Sequence, residues 1–277
     1  MNFIEKLENS WKISKSLLQV GLDPNPTLFP EEFRNQSNSI FEFCRCIVDA
    51  TAFYVCSFKL QIAYFSAYKA EDQLEELCSY IRNNYPNLLI VLDSKRGDIY
   101  STSKNYAYEA YERYQAHAVT VNPYMGFDSI EPYLEWNDRG IIVLCLTSNS
   151  GSSDFQFLNL SNGEPLYLYI AGLIADKWNK NSQFGLVVGA NHTNELFKIR
   201  KRIGNAMPLL IPGIGFQGGN IKDTVDAGIN IDGNGIMINS SRKIIYASSN
   251  NNWMEAAAES ARDYCNEINN ARCEKIF

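Results

Sequence analysis

Residues 91–102 read VLDSKRGDIYST, an apolar run that ends in Asp93, Lys95, Arg96 and Asp98. Side chains alternate along a strand, so Asp93 and Lys95 are expected on one side and Ser94 on the other. The run VCSFK ends in a further lysine, Lys59. Charges at the end of a buried strand are costly to desolvate, and apolar residues of like volume often serve stability as well. Lys59, Asp93, Lys95 and Asp98 therefore read as a set kept for chemistry, ammonium and carboxylate groups that stabilise charge and carry protons.

A second cluster suits an anion. PGIGFQGG (212–219) places Gly213, Gly215 and Gly218 in a GxGxxG pattern. A dinucleotide loop would follow the first strand and precede an acidic residue in a defined place. Here the pattern follows the seventh strand-like run, and the acidic residue downstream, Asp232, lies in the turn-like DGNG. The physical content survives, because glycines let backbone N–H groups approach an anion closely. The next run leads into NSSRKIIYA, where Ser241 and Arg242 stand and the planar guanidinium can grip a phosphate. The two loops are expected to form a phosphate cradle. His117 and His192, far apart in the chain, read as structural or surface residues. No cluster has metal-ligand spacing, so no metal and no cofactor is implied.

These residues need a scaffold. Short apolar runs at 16–22, 55–59, 88–95, 118–122, 140–146, 184–190, 208–214 and 235–240 alternate with helix-period segments such as 39–50, 72–84, 105–114, 167–178 and 193–203. That alternation implies an α/β protein with a parallel sheet, and eight repeats favour a closed (β/α)8 TIM barrel. Phe3, Ile4, Leu7 and Trp11 share one face of an extra N-terminal helix. No composition break divides the chain, and the polar stretch 248–252 is a loop, so residues 1–277 are expected to form one catalytic domain. The runs end in Asp23, Lys59, Asp93 with Lys95, Asn122, Thr147 with Ser148, Asn191, Gly215 with Gln217, and Ser241 with Arg242. Polar residues thus collect at the C-terminal strand ends, the face on which barrel enzymes build their sites.

Composition narrows the partners. A net charge of −6 offers no general attraction for nucleic acid or an anionic membrane. The N-terminal residues alternate apolar and charged types, unlike a signal peptide, and no apolar stretch approaches the roughly 18 residues of a membrane span. Seven scattered cysteines without a CxxC pair read as free thiols of a reducing compartment. A soluble, cytoplasmic protein is expected.

LDSKRGDIYST resembles the DxKRGDIxxT element of the orotidine 5′-phosphate decarboxylase family, in its second sequence type. The resemblance extends through VGLDPNP (20–26), FKLQIAYF (58–65), NPYMGFDSIEPYL (122–134), CLTSNSGSSDFQ (145–156), GLVVGAN (185–191), IPGIGFQGG (211–219) and NSSRKIIYAS (239–248), in the family's order. Small departures occur at Leu60, often Pro in the family, and at Asn191, often Thr. The resemblance implies cofactor-independent decarboxylation of orotidine 5′-phosphate to UMP, the last step of pyrimidine nucleotide synthesis. It implies that Lys95 protonates the carbon that loses CO2, that Asp93 lies against the departing carboxylate, and that Lys59 holds the network and the ribose. Asp23 would contact the ribose, Ser148 the pyrimidine, and Gln217 with Arg242 the phosphate, with Gly218 and Ser241 completing the substrate-binding set. Asp98 and Thr102 would serve the partner's site in a homodimer.

The chemistry is consistent with those roles. Loss of CO2 from a ring carbon without an electron sink leaves a localised carbanion, which a fixed ammonium can stabilise and then protonate. One alternative is a metal-dependent sugar-phosphate decarboxylase or aldolase of the same barrel superfamily, whose Asp-x-Lys-x-x-Asp strand end is matched by Asp93, Lys95 and Asp98. Such enzymes hold Mg²⁺ with a carboxylate at the end of strand 2, where this chain has Lys59. A second alternative is a catalytically silent nucleotide-phosphate-binding barrel, which loss of one of the four charges would support; all four are present.

Overall fold

The computed structural model describes residues 1–33, 36–215 and 218–276. Eight parallel strands close in chain order into a barrel: β1 Leu18–Leu22, β2 Ser57–Gln61, β3 Leu89–Arg96, β4 Ala118–Val121, β5 Gly140–Leu146, β6 Phe184–Val188, β7 Leu209–Pro212 and β8 Ile236–Ser240. Closure comes from β8 pairing back onto β1, with Leu18 opposite Ile238 and Val20 opposite Ser240. β1, β6 and β8 are buried along their whole length, as parallel strands covered on both faces are.

Helices wrap the barrel where the 3.6-residue period places an apolar stripe against it. In Ser39–Thr51 the stripe is Ile40, Phe43, Cys44, Ile47 and Thr51, and in Thr193–Ile203 it is Leu196, Ile199 and Ile203. Each such Leu, Ile or Phe contributes about 1.5–3 kcal/mol relative to exposure. Phe43 also stacks between Phe29, at 4.2 Å, and Trp253, at 5.5 Å, which ties the C-terminal helix Trp253–Ile276 to the first crossover, between β1 and β2. The fourth crossover differs from the rest. It consists of the 3-10 turns Pro123–Met125, Phe127–Ser129 and Glu131–Glu135, because Pro123, Gly126 and Pro132 interrupt any longer helix.

The N-terminal helix Phe3–Ser14 plugs the floor, the face at the N-terminal strand ends. An Asn2–Glu5 capping box starts it, and it buries Phe3, Leu7 and Trp11. Phe3 lies so close to Gly140, the first residue of β5, that any Cβ there would overlap its ring. Ser10 Oγ donates to the carbonyl of Cys56 at 2.6 Å.

Two further groups lock the floor. Arg200 is buried, and its guanidinium donates to the carbonyls of Gly228, Gly204, Met207 and Gly235 at 2.7–2.9 Å. It thereby joins the end of one helix to the chain entering β7 and β8. Burial lowers the Arg200 pKa to about 10. His117, directly before β4, accepts from the Ile90 N–H through Nδ1 at 2.9 Å. Burial first, then the charges of Arg139, Lys6 and Arg82, lowers its pKa to about 4. His192 sits elsewhere, with Nε2 at 3.1 Å from the Thr147 carbonyl.

Candidate active site

The charged set stands at the opposite face, the mouth, and β3 reaches it through an irregularity. Leu92 pairs with Val119 and Arg96 with Val121, so Asp93, Ser94 and Lys95 together face the single residue Thr120. This is a β-bulge, a device that bends a strand and re-aims its side chains. Lys95 has a φ of +50°, left-handed for a residue with a Cβ. Such a conformation costs about 1–3 kcal/mol and must be held by its surroundings. Simple alternation, expected from the sequence, is therefore not what brings Asp93 and Lys95 together.

Asp93 is the centre of the network. Its Oδ1 accepts from Lys95 Nζ at 2.6 Å and from Thr120 Oγ1 at 2.7 Å. Its Oδ2 accepts from Gln61 Nε2 at 3.0 Å and lies 3.0 Å from Lys59 Nζ. Burial alone would raise the Asp93 pKa, but Lys59 and Lys95, with the Lys95 and Thr120 hydrogen bonds, outweigh it and hold the carboxyl well below the usual carboxylate range. Lys59 is the mirror case. Burial alone would lower its pKa, yet the carboxylates of Asp23 and Asp93 raise it above the usual lysine value. Asp93 and Lys59 are thus both held in their charged forms.

Asp23, at the exit of β1, lies 3.4 Å from Lys59 Nζ. The Tyr246 hydroxyl holds that turn, donating to the Asp23 carbonyl at 3.1 Å and accepting from the Asn25 N–H at 2.6 Å. Lys59 and Lys95 balance Asp23 and Asp93, so the cluster is neutral as a whole.

A cleft of about 530 Å³ opens over these groups. Asp23, Lys59, Gln61, Asp93, Lys95 and Thr120 line one wall, and Leu144, Val187, Leu210, Pro212 and Ile214 line another. Polar residues rim it on two sides: Thr147, Ser148, Asn149 and Gln156 follow β5, and Ser241, Arg242 and Lys243 follow β8. A charged wall, an apolar wall and a basic rim can accept a flat ring carrying a reacting anionic group and a more distant phosphate.

Of the residues singled out from the sequence, Lys59, Asp93, Lys95, Asp23, Ser148, Ser241 and Arg242 meet in this cleft. Gly218 is in the loop after β7, where Gly213 and Gly218 have φ of +103° and +86°, and open space lies where a Gly218 side chain would project. Gln217 lies outside the described residues. Asp98 and Thr102 do not line the cleft of their own chain. Asp98 Oδ1 accepts from the Ile99 N–H at 2.7 Å, and Thr102 is in the helix Tyr100–Tyr108. Sequence reasoning missed Gln61 and Thr120. Gln61 stands two residues beyond Lys59 on the same side of β2, and Thr120 is the one polar residue within AVTV of β4, signals that alternation alone could have flagged.

Among the described residues, no group of three or more His, Cys, Asp or Glu side chains is placed to hold a metal ion. Among them, too, no helix is long and apolar enough to cross a membrane.

The family model of orotidine 5′-phosphate decarboxylase / HUMPS matches residues 16–257. The chain is 63% identical to the orotidine 5′-phosphate decarboxylase of Bordetella pertussis, over 98% of this chain and 100% of the relative. It is 56% identical to the protein of the same name from a Janthinobacterium species, over 97% of this chain and 98% of the relative. Among solved structures, that of Leishmania donovani OMP decarboxylase superposes with a TM-score of 0.85 at 35% identity, covering 99% of both chains.

Proposed function

The chain belongs to the orotidine 5′-phosphate decarboxylase family, and from that premise we propose how its own residues convert orotidine 5′-phosphate to UMP and CO2 in pyrimidine nucleotide synthesis. The observation that carries the reading is the Asp93 carboxylate clasped between Lys59 and Lys95 at the base of the cleft. The phosphate is held at the basic rim by Arg242, with Ser241, Gln217 and Gly218 beside it. Ser148 faces the pyrimidine, whose ring lies on the apolar wall, and Asp23 and Lys59 hold the ribose.

The reacting carboxylate then lies against Asp93, whose charge is fixed. When the carbon–carbon bond breaks, CO2 leaves as a neutral molecule and its repulsion with Asp93 vanishes. The electron pair stays on the ring carbon, where the attraction of the Lys95 ammonium grows as the charge localises. Lys95 then gives its proton to that carbon. Only interactions stronger in the transition state accelerate a reaction, and this one is. The ammonium of Lys59 occupies the place where a sugar-phosphate enzyme of this superfamily needs a carboxylate for Mg²⁺, which disfavours that reading.

The active unit is a homodimer. Support comes from Asp98 and Thr102, which do not line the cleft of their own chain, and from the exposed apolar residues Ile99 and Tyr100 next to them in the chain and Tyr124 and Met125 after β4. An isologous interface there carries Asp98 and Thr102 to the partner's site. The whole chain acts as one catalytic domain in the cytoplasm.

The function is tested by incubating the purified protein with orotidine 5′-phosphate after exhaustive EDTA treatment. The ultraviolet absorbance of the substrate falls and UMP accumulates; activity that returns only on adding Mg²⁺ would favour the sugar-phosphate chemistry. The shared site is tested by refolding Lys95→Ala and Asp98→Ala proteins together. With random pairing about half the dimers are mixed and half of their sites are intact, so activity recovers to about one quarter of wild type. No recovery from mixed dimers verified by mass spectrometry would place Asp98 in its own chain's site.

A further inference from the structure

We propose that Thr120 is a positioning residue of the decarboxylation site: its single hydroxyl holds the bulge of β3 in the conformation that aims Lys95 across Asp93. The inference rests on the functional reading above. Thr120 is buried and is the single β4 residue opposite Asp93, Ser94 and Lys95 of β3. Its Oγ1 accepts from the Ser94 N–H at 3.0 Å and the Lys95 N–H at 3.1 Å, and lies 2.7 Å from Asp93 Oδ1. Two of these neighbours are obligate donors, so the only acceptor left for the hydroxyl proton is the carboxylate. The proton direction is fixed, and the hydroxyl's donor and both of its acceptor positions are used.

The consequence lies in the backbone. Lys95 is held at a φ of +50°, which a residue with a Cβ leaves unless something retains it. The Thr120 hydroxyl is the acceptor for the two N–H groups that turn inward in that bulge, and the Thr120 carbonyl accepts from Ser94 Oγ at 3.2 Å. Without the hydroxyl those N–H groups have no partner in the strand, Lys95 relaxes toward an ordinary φ, and its ammonium swings away from Asp93. Thr120 acts on the proton donor through the chain that carries it.

Thr120→Val keeps the shape and removes the hydroxyl; Thr120→Ser keeps the hydroxyl and removes a methyl. Wild-type turnover of orotidine 5′-phosphate, measured alongside, tests the functional reading separately. The Val variant should lose about 100-fold in kcat, the scale of one preorganised hydrogen bond at a reacting charge. Its KM should stay within about threefold, because the phosphate and ring contacts are untouched. The Ser variant should stay within about threefold of wild type in kcat, as rescue by a retained hydroxyl requires. If the Val protein does not fold, Thr120→Ala, which fits the same space, carries the same expectation. A kcat within threefold of wild type for Val, a Ser variant as impaired as Val, or a rise in KM equal to the fall in kcat would each overturn the assignment.

Discussion

Lys59 at the mouth and Arg200 at the floor are both buried cations, and the barrel accommodates them in opposite ways. Lys59 stands between two carboxylates, 3.0 Å from Asp93 and 3.4 Å from Asp23, and its pKa is raised. Arg200 is satisfied by four backbone carbonyls and no carboxylate, and its pKa falls to about 10. Neutral dipoles suit a clamp, because they hold loops in place and leave no charge to react. Paired full charges suit chemistry, because a substrate can enter among them and change their balance. The mouth also keeps a left-handed lysine in a bulge, strain that the floor residues Arg200 and His117 do not share.

The comparison breaks first at Arg200. Arg200→Met removes all four hydrogen bonds and leaves buried carbonyls unsatisfied, a loss of about 3–5 kcal/mol by analogy with a broken buried pair. For a chain of this size that lowers Tm by about 10 °C. The folded fraction should keep its kcat within about twofold, since the cleft is untouched. Thermal unfolding and turnover measured on one preparation decide it. A large fall in kcat with Tm unchanged would make the floor part of the site.

A smaller effect separates the two faces by pH. His117 is neutral when folded, with a pKa near 4 against an ordinary value of 6.5. Between those values the unfolded chain binds the extra proton and the folded chain does not, so stability falls as pH falls. The contribution is fully present above pH 6.5 and is lost progressively down to pH 4, by up to about 3 kcal/mol. Urea unfolding at pH 7 and pH 4.5 measures it. His117→Asn, whose amide oxygen can still accept from Ile90, should flatten the difference. Asp93, held well below the usual carboxylate range, and Lys59, held above the usual lysine value, keep their charges through this window, so that pair adds no such dependence. An undiminished pH dependence in the Asn variant would move its origin elsewhere.

Much of this architecture is legible in the sequence because two periods alternate. Short apolar runs such as FGLVV, repeated between helix-period segments, read as strands covered on both faces, and TNELFKIRKRI carries its helical stripe openly. The charges Lys59, Asp93 and Lys95 are visible as ends of those runs. The bulge is not, since residues 88–95 read as an unbroken strand and nothing in LDSKR announces that Lys95 turns left-handed. That conformation is held from β4 by Thr120, distant in sequence, so no local pattern records it. Arg200 is equally hidden, one of several basic residues at a helix end, and distinguished only by where the chain brings four carbonyls. The fourth crossover also escaped, though Pro123, Gly126 and Pro132 carry its cause.

The central claim is that the mouth is arranged around the Lys95 ammonium as charge stabiliser and proton source. It is tested most directly by the kcat of Lys95→Ala for orotidine 5′-phosphate, measured beside wild type in EDTA with Tm recorded for both. One preorganised electrostatic contact is worth about 2.7–4 kcal/mol, and two functions are lost here, so kcat should fall by at least about a thousandfold. The protein should stay folded with Tm lowered by no more than about 5 °C, since Asp93 keeps Lys59, Gln61 and Thr120 as partners once Lys95 is removed. A fall of tenfold or less, in a protein that keeps its Tm, would contradict the account.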